Sequence, residues 1–282
     1  MKKLLPLICL CLASFVWAGN RADVNADGVV NAADLAVLGN VVAGNLDIGN
    51  YDLANVVVVA PQGGDFTSPM DAVNWVATQS PSATKRFLVL VTPGVYHYTG
   101  QFMLPSYTTL CGYGPSNTRL IQDGAGYQGV YAFGVIDVSI ANLQVEAPRT
   151  GVTAQTSANV RLDHVVVSVD GDVANDLYGI VCRSSNMEVV DCEVRATQSL
   201  ENYAAFALFL PYVASEAQPS VRVRTTILVA GAATQGMAYY HGKNSGGWGW
   251  ASLFHCILVG DTNSVTQLVR FACCDQNGNP EP

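Results

Sequence analysis

An acidic segment near the N-terminus has the residue types and the spacing of a calcium-binding loop. Oxygen-bearing side chains stand at positions 1, 3, 5, 9 and 12 of a twelve-residue stretch, and Gly28 stands at position 6, where such a loop turns sharply. With the backbone carbonyl expected at position 7, the predicted ligands are Asp23, Asn25, Asp27, Val29, Asn31 and Asp34. Ca²⁺ takes six to eight oxygen ligands, so the segment predicts a Ca²⁺ site. The alternative is a polar linker in which Asp and Asn happen to alternate.

The residues that follow this loop extend it into half of a known module. Apolar residues recur at helical spacing over 32–42, which predicts a helix leaving the loop. Loop and helix together resemble the first repeat of a type I dockerin, whose two loop-helix repeats bind cohesin domains. The stretch at 53–57, where a second repeat would begin, runs into valines instead of carboxylates. Over residues 19–55 the resemblance therefore implies Ca²⁺ binding, but only half of the surface that a cohesin-like partner would need.

Three carboxylates crowd a second segment and are candidates for catalysis. They are Asp170, Asp172 and Asp176. Glycoside hydrolysis needs two carboxylates at a defined separation, and a calcium-dependent lyase needs acids together with a base. The alternative interpretation of the three residues is a solvated turn.

An aromatic segment near the C-terminus is a candidate for carbohydrate binding. Its candidate residues are Tyr239, Tyr240, Lys243, Trp248 and Trp250. Exposed rings can stack on sugars, and the lysine could meet an acidic saccharide. The alternative is a loop that folds over the protein and buries its own rings.

Charged residues also recur at equivalent positions of a repeated strand pattern. Arg161, Glu188 and Arg222 would form a ladder of alternating charge, which predicts surface ion pairs of small energy. His164 and His255 share another such position. Three coils would separate these two histidines, so we expect no direct cooperation between them.

The repeated pattern consists of five eight-residue segments with apolar residues mostly at positions one, three, six and eight. They begin at Val138, Val160, Met187, Val221 and Ala251. A second family of short apolar segments precedes them, at 151–153, 179–181, 206–208 and 236–238. Two short strands in each unit of variable length predict a solenoid, here a right-handed parallel β-helix over residues 56–282. The alternative is a β-sandwich, which predicts antiparallel hairpins with Asn-Gly or Asp-Gly turns.

A strand at 56–59 and a helix at about 68–78 open this all-β region. The helix would cover the exposed end of the first coil. Its predicted apolar face consists of Met70, Val73, Val76 and Ala77, with Trp75 alongside.

Three segments in this opening part resemble a known family. They are Val-Val-Val-Ala-Pro-Gln-Gly-Gly-Asp-Phe-Thr-Ser at 57–68, Phe-Leu-Val-Leu-Val-Thr-Pro-Gly-Val-Tyr at 87–96 and Leu-Cys-Gly-Tyr-Gly-Pro-Ser-Asn-Thr at 110–118. They are similar to the N-terminal part of pectin-lyase-like β-helix proteins, and most of all to the pectinesterase branch. The catalytic stretches of that branch, Gln-Asp-Thr-Leu, Asp-Phe-Ile-Phe-Gly and Leu-Gly-Arg-Pro-Trp, do not occur in the chain. The resemblance therefore implies the fold without the esterase activity, and Asp65 is expected to be a turn residue.

The first eighteen residues predict export. Lys2 and Lys3 precede an apolar run and a small residue at Ala18, which is typical of a signal peptide; the run is too short for a membrane span. Removal of both lysines takes the formal charge from −8 to −10, and an acidic chain without basic clusters argues against nucleic acid as a partner. The six cysteines beyond residue 18 lie mostly in apolar strand patterns, which predicts buried free thiols.

Together these patterns predict a secreted, calcium-binding β-helix protein. Without the pectinesterase stretches, we expect a non-catalytic role in surface display or carbohydrate binding. The alternative is a polysaccharide-active enzyme, either a lyase or a glycoside hydrolase, that uses the acids at 170–176 or the face near Tyr240.

Overall fold

The computed structural model describes residues 55–124, 126, 128–171, 174–211, 216–232, 235–241 and 250–260. The signal peptide and the calcium loop predicted for residues 1–55 lie almost entirely outside this range. The helix is α1 (Pro69–Thr78). The strands are β1 (Val56–Val59), β2 (Phe87–Val91), β3 (Gly94–Tyr98), β4 (Thr108–Cys111), β5 (Thr118–Gln122), β6 (Gln128–Phe133), β7 (Ile136–Ala147), β8 (Thr150–Gln155), β9 (Ala158–Gly171), β10 (Leu177–Arg183), β11 (Asn186–Val190), β12 (Glu193–Gln198), β13 (Ala204–Leu210), β14 (Ser220–Arg224), β15 (Ile227–Ala232), β16 (Gln235–His241), β17 (Trp250–Phe254) and β18 (Ile257–Val259).

The strands form three faces of a coil. Face A runs in the order β1-β2-β4-β7-β9-β11-β14-β17, and face C runs in the order β16-β13-β10-β8-β6. Face B contains β3, β5, the second halves of β7 and β9, and β12, β15 and β18. Every pair of named strands in the described residues is parallel. The predicted right-handed parallel β-helix is therefore confirmed, and the antiparallel sandwich is not formed.

The register of face A is the one expected from the repeated segments. Val138 pairs with Val160, Val160 with Met187, Met187 with Val221, and Val221 with Ala251. The side chains of Val138, Val160, Met187 and Val221 are buried in the coil, where apolar rows stack from one coil to the next. Burial of each Val or Leu side chain contributes about 1.5–3 kcal/mol, so these rows are the main source of stability. The filled interior leaves the outer surfaces as the place for a functional site.

Position five of each repeated segment forms a corner between faces A and B. The corner residues have φ between 49° and 53°. They are Asn142, His164, Asp191, Thr225 and His255. This left-handed conformation is uncommon outside glycine but is enriched in Asn, Asp and His. Each repeated segment, which the sequence pattern presented as one strand, therefore consists of two strand directions that meet at a corner. The left-handed residue at the corner changes which side chains point inward, so the apolar positions are one and three before it and six and eight after it.

The helix α1 packs on β1 and β2 at the start of the coil. Its N-cap is Ser68, whose Oγ accepts a hydrogen bond from the amide of Asp71 at 3.3 Å. The predicted helix is confirmed, but its buried face differs from the prediction, because Ala72 is buried and Ala77 is exposed. Trp75, 40% exposed, lies against the rings of neighbouring residues rather than in the core.

The turn role predicted for Asp65 is confirmed, and so are buried free thiols at three of the cysteines in the described residues. The carboxylate of Asp65 accepts a hydrogen bond from the amide of Val58 at 2.6 Å, so it holds the turn after β1. Of the cysteines in the described residues, Cys111, Cys182 and Cys192 are buried free thiols and Cys256 is a half-buried one.

No helix among the described residues has the length and apolar character to cross a membrane.

The second strand family lies on face C, with a register that corrects the prediction by one residue. Gly179 stands opposite Ala207, because Tyr178 pairs with Phe206 and Ile180 with Leu208. Glycines on this face allow it to pack closely on face B: a Cβ at Gly151 would lie 2.2 Å from Cγ1 of Val167.

Candidate functional site

Charged side chains converge on the outer surface of face A, where three consecutive coils carry β9, β11 and β14. In the strand register Arg161 stands opposite Glu188 and Glu188 opposite Arg222, as the sequence predicts. Two positions farther along, Asp163 and Arg224 occupy the next outward row. Alternation along each strand turns these residues outward, because the residues between them are buried.

The ion pairs within this surface differ in one respect from the predicted ladder. Arg161 contacts Glu188 at 2.5 Å and Asp163 at 2.7 Å. The second cation on Glu188 is Arg224, at 3.2 Å, rather than Arg222. Arg222 is exposed and makes no ion pair with any residue that the structure describes. The guanidinium of Arg222 is therefore without an ion-pair partner among the described residues.

The corner next to these pairs brings together an imidazole and two carboxylates, which we call the corner cluster: Asp163, His164 and Asp191. Nδ1 of His164 lies 2.6 Å from Oδ1 of Asp163, and Nε2 lies 3.8 Å from Oδ2 of Asp191. Each of the three offers a metal-ligating atom, and these atoms lie within 4.8 Å of one another. His164 and Asp191 occupy the same corner position on successive coils, which is why residues 27 apart in the chain face each other.

The electrostatics of the cluster keep Asp163 ionised. Partial burial opposes its charged form, but hydrogen bonds and charge from Arg161 and His164 outweigh that effect and lower the pKa of Asp163. Burial likewise opposes the charge of Arg161, and Asp163 and Glu188 outweigh it, so the pKa of Arg161 is raised. An ionised carboxylate against Nδ1 favours a proton on that nitrogen and leaves the lone pair of Nε2 facing outward.

Such an arrangement supports two kinds of chemistry. An imidazole oriented by a carboxylate can move a proton through its other nitrogen, as a general acid or base. The same outward nitrogen can bind a metal ion together with a nearby carboxylate. The sequence signal for this cluster is Asp191, which fills the same corner position as His164 on the neighbouring coil; a comparison of His164 with His255 alone passes over it.

Of the residues predicted to be catalytic, neither Asp170 nor Asp176 belongs to the corner cluster. Asp170 is exposed near the end of β9, and Asp172 lies outside the described residues. Asp176 accepts hydrogen bonds from the amide of Ala204 at 2.8 Å and from the hydroxyl of Tyr178 at 3.4 Å. Asp176 therefore has a structural role in joining two coils of face C.

The two tyrosines among the predicted carbohydrate-binding residues lie in different environments. Tyr239 packs against the core, and burial raises its pKa to about 12. Tyr240 instead joins a group of stacked rings on the outside of face C, and its ring lies 5.3 Å from that of Phe209. This group, the aromatic cluster, consists of Tyr178, Phe206, Phe209 and Tyr240. Lys243, Trp248 and the side chain of Trp250 lie outside the described part of the chain.

Comparison with solved structures finds a similar architecture in ORF18 of Geobacillus virus E2, with a TM-score of 0.57 and 12% identity over 79% of this chain. The chain spans 44% of that protein, less than half of its length. A pectin methylesterase from Aspergillus niger gives a TM-score of 0.41 with 13% identity over 76% of this chain and 88% of its own. A pectin methylesterase in complex with a hexasaccharide gives 0.40 with 10% identity, over 80% of this chain and 92% of its own.

No family model and no curated protein matches the sequence. At 12% identity, the similarity to the viral protein shows a shared fold and nothing about activity. The chain is a right-handed parallel β-helix protein, and the indications of its function lie in the residues on its surface.

Proposed function

We propose that this protein binds an acidic polysaccharide through the outer surface of face A, around Arg222 and the corner cluster. The observation that carries the proposal is the exposed guanidinium of Arg222, which has no carboxylate partner among the described residues although Arg161 and Arg224 both do. A guanidinium presents a planar set of donors that matches a carboxylate. The carboxylate of a uronate sugar is a ligand of this kind.

The surroundings of Arg222 suit the rest of a sugar chain. Ser220, Thr225 and Ser252 are exposed on the same coil and the next one, so hydroxyl groups flank the guanidinium. Neighbouring coils lie about 4.8 Å apart, and the outward side chains form rows along the stack. Such rows offer a polymer repeated polar contacts rather than a single pocket.

The test compares binding of a polyuronate and of a neutral polysaccharide by calorimetry. We expect the wild-type protein to bind the polyuronate, with an affinity that falls as salt increases. Arg222→Gln should weaken binding at least tenfold, whereas Arg195→Gln should not, because Arg195 is an exposed arginine on face B that already contacts Glu193. Unchanged binding by Arg222→Gln, or equal binding of the neutral polymer, would refute the proposal.

A second candidate function is a polysaccharide-active enzyme, favoured by the contact between Asp163 and His164. The carboxylate would orient the imidazole, and Nε2 would take the proton from C5 of a bound uronate while its C4–O glycosidic bond breaks; the leaving oxygen takes a proton from water, and a C4=C5 double bond remains. Incubation with a polyuronate, followed by absorbance at about 235 nm for unsaturated products, tests this candidate. Turnover that is abolished by His164→Asn would establish the enzyme, and no turnover by the wild-type protein would leave binding as the function.

The N-terminal segments complete the proposal as an exported protein suited to surface display. Residues 1–18 would direct export, and the loop at 23–34 would bind Ca²⁺. The sequence pattern alone supports both. Asp27→Ala should remove Ca²⁺ binding measured by calorimetry, and Asp191→Asn should leave it unchanged; Ca²⁺ binding that survives in Asp27→Ala would refute the loop assignment.

A further inference from the structure

We infer that His164 and Asp191 form a binding site for a divalent transition-metal ion, with Asp163 holding the imidazole in place, and that Zn²⁺ is the ion this site prefers over Ca²⁺. The site uses none of the residues predicted for the calcium loop and does not depend on glycan binding. It also excludes the role of His164 as a base, because a bound metal would occupy the same Nε2.

The first step is the orientation of the imidazole. Oδ1 of Asp163 lies 2.6 Å from Nδ1 of His164, and Oδ2 of the same carboxylate is fixed by Arg161 at 2.7 Å. The carboxylate is therefore held from both sides and accepts a hydrogen bond from the Nδ1–H group. A histidine that binds a metal almost always donates its other ring N–H to such a group.

The second step is the distance between the two proposed ligands. Nε2 of His164 and Oδ2 of Asp191 are 3.8 Å apart, which is too long for a hydrogen bond. Two ligand bonds of about 2.1 Å at a tetrahedral angle place their donor atoms about 3.4 Å apart. A movement of a few tenths of an ångström would therefore let one ion bridge the two atoms. His164 and Asp191 have exposed side-chain fractions of 59% and 38%, so both can make that movement and water can complete the coordination.

The third step is charge. The negative charge of Asp163 is matched by Arg161, whereas Asp191 has no Lys or Arg within ion-pair distance among the residues described. The carboxylate of Asp191 is thus available to a cation that approaches from solvent.

The fourth step is the choice of metal. An imidazole nitrogen suits Zn²⁺ and other first-row transition metals, while Ca²⁺ and Mg²⁺ prefer all-oxygen sites. The predicted loop at 23–34 is an all-oxygen set. We therefore expect Zn²⁺ to bind at His164 and Asp191 and Ca²⁺ to bind at the loop 23–34.

The experiment titrates Zn²⁺ into the untagged full chain, in the presence of saturating Ca²⁺, by calorimetry. His164→Asn and Asp191→Asn should each abolish one Zn²⁺ site. Asparagine tolerates the left-handed corner, as Asn142 shows one coil earlier with φ 53°, so both variants should keep the fold. Asp163→Asn should retain the site with roughly 10–100-fold weaker affinity, since it removes only the orienting carboxylate.

His97→Asn is the matched control, because His97 is also exposed and lies 3.1 Å from a carboxylate, that of Asp123. It should bind Zn²⁺ as the wild-type protein does. Three results would overturn the inference: no Zn²⁺ binding by the wild-type protein, wild-type affinity in His164→Asn or Asp191→Asn, or an equal loss in His97→Asn. Ca²⁺ that competes with Zn²⁺ at equal concentration would overturn the assigned preference.

Discussion

The amide of Cys192 donates a hydrogen bond to the hydroxyl of Thr226, at 3.3 Å, and Thr226 fills the same position one coil later. The thiol of Cys192 in turn accepts a hydrogen bond from the amide of Val165, at 3.4 Å. Each of the two side chains also donates to the carbonyl two residues before it. The left-handed corner residue interrupts the regular ladder, so a side chain from the next coil satisfies the buried amide that follows it.

The corner between faces C and A uses the same device with serines. Ser157 accepts from the amide of Val135 at 3.2 Å, and Ser185 accepts from the amide of Ser157 at 2.9 Å. Each serine also donates to the carbonyl two residues before it. Two corners of the coil are therefore stabilised by hydroxyl or thiol groups that immediately follow a left-handed residue.

Replacing Thr226 by valine tests this corner device. The change conserves shape but leaves the buried amide of Cys192 without an acceptor, which should lower the free energy of unfolding by about 1–3 kcal/mol. Thr226→Ser keeps the hydroxyl and should lose much less. Chemical denaturation followed by circular dichroism measures both variants, and a larger loss in Thr226→Ser than in Thr226→Val would show that packing of the methyl group matters more than the hydrogen bond.

Replacing Gly151 by alanine tests the close contact between faces C and B. The added Cβ would lie 2.2 Å from Cγ1 of Val167 and 2.6 Å from the carbonyl oxygen of Gly179, so backbone or core must shift. Such overpacking typically costs about 1–3 kcal/mol. Gly126→Ala, which meets no atom within 4 Å, is the control and should leave the melting temperature unchanged. A Gly151→Ala variant as stable as the wild-type protein would contradict the packing.

The architecture could be predicted from the sequence because it depends on the spacing of apolar residues along the chain. The starts of the five segments, from Val138 to Ala251, gave the register of face A directly. The apolar positions one, three, six and eight also mark the corner, because the step from position three to position six breaks the strict alternation of apolar and polar residues that a single strand would have. A residue such as Asp191 followed by Cys192, or Thr225 followed by Thr226, is the local signature of that corner.

The corner cluster could not be predicted in the same way. Asp163 precedes His164 in the same strand, but Asp191 comes within 3.8 Å of Nε2 of His164 only because these two residues occupy the same left-handed corner position on neighbouring coils, and no spacing within one segment encodes that. The predicted buried face of α1 was wrong at Ala77, because the buried residues Pro69, Ala72, Val73 and Val76 follow the i, i+3, i+4, i+7 spacing of one helix face and Ala77 lies outside it.

The cysteines should differ sharply in reactivity. Burial raises the pKa of the thiols of Cys182 and Cys192 to about 12, while Cys256 is only half-buried. Because the thiolate is the reactive form, iodoacetamide at neutral pH should label Cys256 before Cys182 and Cys192, which should stay unlabelled until the protein unfolds. Mass spectrometry of the native and denatured protein measures this order. Labelling of Cys182 as fast as Cys256 would contradict the burial.

The stability of the protein at acidic pH should depend on Glu216. Its carboxylate contacts Arg183, whose Nε lies 2.9 Å from Oε2, and accepts from the hydroxyl of Ser184 at 2.5 Å. Hydrogen bonds from Arg183 and then from Ser184 lower the pKa of Glu216 from 4.5 to about 2. A lowered pKa in the folded state means that the carboxylate contributes stability above its unfolded pKa, and that this contribution is lost as the pH falls from 4.5 towards 2.

The comparison of wild type with Glu216→Gln isolates this contribution from the general effect of acid. Above pH 5 the wild-type protein should melt at a higher temperature than the variant, by a constant margin, because the carboxylate is ionised in both the folded and the unfolded state. Between pH 4.5 and about 2 the margin should shrink to the small difference between a protonated Glu and a Gln. Arg195→Gln, which removes an ion pair on another face, is the control for a general loss of surface charge. A margin that stays constant down to pH 2.5 would show that Glu216 acts through packing and not through its charge.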